Sequence, residues 1–176
     1  KTPKIALIRI SGLITGGESS SGLLERRKTG AADTIRAFQS AWADSGVKAI
    51  VLAIDSGGGS SMASDLIWRT VRLAARDKPV IVSLGDVAAS GGYYIASAGT
   101  EIFTSPSTLT GSIGVFIAKP AFRKLMEKIG VSSDSITRGK SAELMSLEHP
   151  WNYNEAQAVQ AAVNNAYSLF LDRVAE

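Results

Sequence analysis

The chain has 176 residues, 45% of them hydrophobic and 20% charged, the balance of a globular protein with a substantial core and not of a disordered one. A formal net charge of +3 is too small to argue for a nucleic-acid partner, and the one basic run, Arg26-Arg27-Lys28, reads as a solvated loop. The absence of cysteine excludes disulfides and thiolate metal sites, and no stretch approaches the roughly 18 uninterrupted apolar residues of a membrane span.

The sequence begins Lys1-Thr2-Pro3-Lys4, without methionine or signal peptide, and enters a strand pattern at once, so a fragment or a processed form is expected. Residues 4–12, KIALIRISG, are β-rich and stop at glycine, which predicts a strand. Residues 13–30 are rich in Gly and Ser with charges and read as a flexible loop. Ile35, Phe38, Ala41 and Trp42 recur at helical spacing within 31–46, and Gly46 is a C-terminal stop. VKAIVLAID (47–55) is a nearly continuous apolar run, as in a strand buried on both faces. A glycine turn, SGGGSS (56–61), leads into a helix over 62–77 with Leu66, Val71, Leu73 and Ala74 apolar.

A second buried strand is predicted over 78–86, begun by Pro79, and then a turn into a helix of small residues over 88–99. Residues 101–106 read as a short strand, 107–117 as a glycine-punctuated loop and strand, 120–130 as a helix closed by Gly130, and 131–139 as a strand. The last segment, 154–176, is a long amphipathic helix with Ala158, Ala162, Tyr167, Phe170, Leu171 and Val174 on one face. Repeated alternation of strand and helix predicts an α/β fold with a mainly parallel sheet and right-handed crossovers, as a single domain over 1–176.

Two glycine-rich segments, IDSGGGSS and LGDVAASGG, each follow a buried strand, at the carboxyl ends where sites collect in α/β folds. Glycine lets the backbone approach a ligand and leaves N–H groups for a developing negative charge. Ser90, just before a helix, therefore has a reasonable nucleophile setting. On pattern alone, glycines after a strand are more often plain turns, and SGGGSS has neither P-loop nor dinucleotide spacing. His149 is the only histidine, and beside Pro150 and Trp151 it reads as a surface or core residue; alone it is poor metal evidence. Lysine is the alternative base for a serine, once its amine is neutral. Among nine lysines, Lys140 in TRGKSAELMS sits among glycine, serine and apolar residues, a better setting than that of Lys124 or Lys128 on a charged helix; solvation is the bland alternative.

GDVAASGGYYIASAGTEIFTSPSTLTGSIGVF (85–116) resembles the core of signal peptide peptidase A, of the S49 serine peptidases. VKAIVLAIDSGGGSS resembles the family's strand and glycine turn, with Asp55 where Asn is common and Gly57 in place of Pro. The resemblance runs from about residue 4 to the end. It implies the fold of Clp-type proteases and crotonases, built of stacked ββα units. It also implies Ser90 as acylating nucleophile, and oxyanion donors from the backbone N–H groups of Gly91 and the Gly58-Gly59 turn. Single-domain members carry the catalytic lysine in the segment matching 138–146, which makes Lys140 a candidate, although anchoring on Gly139 and LMS puts that lysine nearer Ala142. Tandem members carry the serine in the C-terminal half and the lysine in the N-terminal half. The loop after the first strand and TGAADTIRAF resemble that C-terminal half, so the base is either Lys140 or a lysine outside the chain.

The resemblance further implies peptide substrates, cleaved signal peptides above all, with no metal, cofactor or nucleic acid. Partners are a missing N-terminal half or membrane anchor and further copies in a homo-oligomer, on the extracytoplasmic, periplasmic side of a membrane. The alternatives are a crotonase-like acyl-CoA enzyme, a catalytically incomplete assembly domain, and a phage-type head-maturation protease of the same family.

Overall fold

The computed structural model describes residues 2–20 and 27–176, so the Ser21–Arg26 part of the expected 13–30 loop lies outside the described residues. Two compact units divide the chain: Lys1–Gly114 with Ser168–Glu176, and Val115–Tyr167. In the first, the order is β1 (Lys4–Ser11), β2 (Leu13–Thr15), β3 (Lys28–Gly30), α1 (Ala31–Ala43), β4 (Val47–Ser56), α2 (Ser61–Ala74), β5 (Val80–Ala89), α3 (Gly91–Ala96), β6 (Glu101–Phe103) and β7 (Leu109–Gly111). The second unit holds α4 (Arg123–Lys128) and most of α5 (Tyr153–Ala175), whose last turns belong to the first unit.

The main sheet runs β1-β4-β5-β6, with β7 following β6 along the same strand β5, and every pairing is parallel. The fold is therefore α/β with a parallel sheet, as the alternation of elements predicts. Ile8 and Ile10, then Ile50, Leu52 and Ile54, then Val80, Val82 and Leu84 share one face and are buried. Helices α1 and α3 pack on that sheet, and α2 packs between those two helices. Phe38, Ile67, Val71 and Ile95 supply the helical side of the core.

Three expectations change. The runs 47–55 and 78–86 predict strands buried on both faces, yet helices cover only one. On the other face Ile5, Leu7 and Phe103 are exposed, while Ala49, Val51, Ala53 and Ile81 are half-buried. Small apolar side chains on that face mimic a fully buried run in the sequence. Second, the 13–30 stretch contains two short strands, β2 and β3, which pair in parallel (Ile14 with Thr29). Ile14 is fully buried and bridges Gly59, so this segment is anchored to the glycine turn. Third, residues 131–139 form no strand: Ile136 is fully exposed, and Ser135 donates instead to Glu143. An apolar-polar run that pairs with no strand among the described residues forms no ladder.

In the second unit α5 starts on a reciprocal cap, in which Asn152 Oδ1 accepts from Glu155 N (3.0 Å) and Glu155 Oε2 from Asn152 N (2.9 Å). Among the described residues no helix is long and apolar enough to cross a membrane.

Phe38 is completely buried beneath the sheet. Phe38→Ala should cost about 3–5 kcal/mol. In urea titration this should appear as a lower midpoint at unchanged slope.

Candidate active site

The site begins with a mismatch in strand length. β4 and β5 run in step from Ile50–Val80 to Ile54–Leu84, and the next pair is Ser56–Ala88. Gly85, Asp86 and Val87 thus stand against Asp55 alone. Asp55 holds this bulge, its Oδ1 accepting the Val87 N–H at 3.2 Å. Two threonines clamp it from the other side: Thr108 Oγ1 donates to Gly85 O (2.9 Å) and Thr110 Oγ1 to Ala88 O (2.8 Å). Such a bulge re-aims the end of its strand.

Ser90 follows at once, between β5 and α3. Its backbone sits at φ 50, ψ −120, a region costly for any residue with a Cβ, by about 1–3 kcal/mol. Two hydrogen bonds impose it: Ser90 N donates to Gly111 O at 2.8 Å, and Tyr94 N donates to Ser90 O at 2.8 Å. Sharp strand-to-helix turns of this kind present a serine Oγ at the top of a sheet. Ser90 is half-buried, and among the described residues of the first unit its Oγ makes no hydrogen bond.

The glycine turn after β4 lies directly against this serine. Gly58 has φ +101, and a Cβ there would come within 2.7 Å of Gly91 N and 2.9 Å of Ser90 Cβ. A Cβ on Gly91 would collide with Ser64 Oγ and sit 3.3 Å from both Gly58 Cα and Gly59 N. On Gly59 it would strike the Ile14 carbonyl. Glycine at these three positions is a steric requirement, whereas nothing lies within 4 Å of a Cβ on Gly57.

Among the described residues the Gly59 and Gly91 N–H groups have no acceptor, so both are available to an oxyanion. The Gly58 N–H is engaged: it donates to Ser56 Oγ at 3.0 Å, and Ser56 Oγ donates to Gly12 O at 2.6 Å. It enters an oxyanion hole only by sharing or leaving that bond. The helix-dipole part of the sequence argument also weakens, because α3 has only six residues. Individual N–H groups, not a long macrodipole, carry the anion-binding capacity.

Behind Ser90, α3 is fixed by a half-buried polar cluster. Tyr94 OH donates to Asp65 Oδ1 at 2.8 Å, and Trp68 Nε1 donates to Ser97 Oγ at 3.0 Å. Arg173 lies 4.0 Å above the Trp68 ring with Nε 3.5 Å from Asp65, and Phe170 packs on Tyr94 at 4.8 Å between centroids. Burial, and then the Asp65 carboxylate, push the Tyr94 phenol well above its ordinary range.

Ser90, Gly58, Gly59 and Gly91 thus converge in the first unit. Lys140 lies in the second, exposed, after Gly139 at φ +107. His149 also belongs to the second unit, with Nε2 3.5 Å from Glu143 and Nδ1 2.8 Å from Pro150 O. Sequence reasoning missed Ser56, Gly111 and the bracing role of Asp55. Their signal was position alone: Ser56 and Asp55 abut the glycine turn, and Gly111 lies within LTGSIG.

The sequence profile of Peptidase family S49 matches residues 72–176. The chain belongs to peptidase family S49. Serine protease SPPA, chloroplastic, from Arabidopsis thaliana is 50% identical over 129 residues, 73% of this chain and 19% of that protein. Protease 4 of Haemophilus influenzae is 37% identical over 175 residues, and Protease 4 of Salmonella typhi 38% over 173; each alignment takes in 98% of this chain and 27% of the relative. The chain therefore spans about a fifth to a quarter of these S49 relatives. Among solved structures, a ClpP1 mutant from Listeria monocytogenes aligns at TM-score 0.47 and 23% identity, over 58% of this chain and 52% of that one.

The buried phenol gives a pH signature. A raised pKa stabilises the fold fully below the unfolded tyrosine value of about 10, and the contribution drains away as pH climbs beyond it. Tyr94→Phe should lower stability by roughly 1–3 kcal/mol at pH 8. Between about pH 10 and 11.5 the gap should narrow, by up to ~1.4 kcal/mol per pH unit, in denaturant titrations of the two proteins.

Proposed function

We propose that this S49 chain carries the nucleophile of a serine endopeptidase that hydrolyses hydrophobic peptides, released signal peptides among them, through an acyl-enzyme on Ser90. The observation that carries the reading is the strained Ser90 backbone, held at φ 50 directly against Gly58 and Gly91. A thioester-polarising site would use the same N–H groups but has no need of a serine in that conformation.

A neutral lysine Nζ takes the Ser90 Oγ proton as Oγ attacks the scissile carbonyl carbon. The carbonyl oxygen becomes an oxyanion, which accepts from Gly91 N–H and Gly59 N–H. Collapse expels the amine, which receives the proton back from lysine. Water, deprotonated by the same lysine, then attacks the ester carbonyl carbon; as that intermediate collapses, lysine returns the proton to Ser90 Oγ and the carboxylic acid product leaves. The lysine is either Lys140 or one supplied by a further domain or another copy. The loop after β1 and TGAADTIRAF resemble the serine-bearing half of tandem members, and the chain spans 27% of Protease 4 of Haemophilus influenzae, so we favour supply from outside the chain, in a tandem, oligomeric protein on the extracytoplasmic face of a membrane, its anchor elsewhere.

Ser90→Ala should reduce cleavage of a hydrophobic reporter peptide by at least about 10³-fold and abolish fluorophosphonate labelling. A parental rate would overturn the reading. Gly58→Ala should lower turnover about 10²-fold in a folded protein, since the new methyl displaces Gly91 N. Lys140→Met should leave the rate within about threefold if the base is external, and match Ser90→Ala if it is local.

A further inference from the structure

The strand that carries Ser90 is interrupted just before it. The first part of β5 pairs with β4 over 80–84 and with β6 over 81–83, and its end, 87–89, pairs with β7. Gly85 and Asp86, between these parts, have no strand partner on either side among the described residues. The ladder therefore breaks, and the direction of 87–89 is not dictated by the run of the strand.

Side chains on both flanks supply what the ladder lacks. On the β4 side, Asp55 Oδ1 accepts the Val87 N–H (3.2 Å), the first amide after the break. On the β7 side, Thr110 Oγ1 donates to Ala88 O (2.8 Å), and Thr108 Oγ1 reaches back to Gly85 O (2.9 Å). β7 is three residues long, and β5 is its one strand partner among the described residues. So short a strand with a single neighbour gains much of its anchorage from such a side-chain bond. The residue after Thr110, Gly111, is the acceptor of the Ser90 N–H (2.8 Å). Asp55 and Thr110 are both exposed, so neither is there to fill the core.

We infer that Asp55 and Thr110 are positioning residues, which from opposite sides of the β5 bulge hold 87–89 in the pose that sets Ser90 against Gly58 and Gly91. Asp55 acts through the Val87 N–H. Thr110 acts through Ala88 O and, by fixing β7, through Gly111 O. With either bond gone the end of β5 is free to swing, and a displacement of about 1 Å at a reacting atom costs on the order of 10²-fold in rate. The catalytic consequence rests on the acyl-enzyme reading, whereas the effect on the Ser90 backbone stands apart from it.

The test follows amide hydrogen exchange and the rate of fluorophosphonate labelling at Ser90 in the full chain. Thr110→Val keeps the shape of the side chain and removes its hydroxyl; Asp55→Ala removes the acceptor. Each should speed exchange of the Ser90 amide by at least about tenfold. The Leu52 amide, in the part of β4 paired on both sides, should keep its parental rate, which separates local release from a general loss of stability. Labelling should slow by at least about tenfold in both variants. Thr110→Ser and Asp55→Asn restore the donor and the acceptor, and should return both readouts to within about threefold of the parent. Parental exchange at Ser90 in Thr110→Val and Asp55→Ala would overturn the inference. So would faster exchange at Val87 alone with parental labelling, or equal acceleration at Leu52 and Ser90. A parent that takes no label would overturn the acyl-enzyme reading instead, and exchange at Ser90 would still decide the positioning.

Discussion

Where β4 and β5 end, two turns of bare backbone touch. The Gly58 Cα lies so near Ser90 and Gly91 that not even a methyl group fits between them, and Gly59 meets the backbone of Ile14 in the same way. A side chain at any of these glycines would push the serine away from the free N–H groups. The surrounding architecture follows from keeping these turns together. β2 is drawn in beside Gly59, Ser56 ties the turn to Gly12, and the three-against-one bulge in β5 brings Ser90 up to meet it.

Strain at Ser90 persists because neighbouring parts of the fold outvote it. Gly111 holds one side of the residue and Tyr94 the other. Tyr94 is itself immobilised by Asp65 and Phe170, with Arg173 on Trp68 completing the brace. The last turns of α5, remote in sequence, thus help to fix the helix that follows Ser90.

Elements with a strong local signature were legible. The apolar runs at 47–55 and 78–86 are strands, and Phe38 and Ala41 do face the core. Local pattern failed where long-range partners decide. β2 and β3 are three-residue strands that exist only because they pair across a loop and bridge to Gly59. Residues 131–139 show the converse, a strand-like pattern that pairs with no strand among the described residues. At the site, the glycines could be read from motif resemblance. The engagement of the Gly58 N–H by Ser56 could not, because it depends on a rotamer and on the carbonyl of Gly12.

The hydrogen bond from Ser90 to Gly111 joins residues far apart in the chain, across β6 and the loop beyond it. The local turns of α3 do not need it, whereas this bond exists only once β7 lies along the end of β5. Without residues 109–111 on the end of β5, one of the two hydrogen bonds that hold Ser90 in its costly conformation is missing. The strained serine is in this sense a property of the finished sheet: a chain still folding holds Ser90 in sequence but not yet in this geometry.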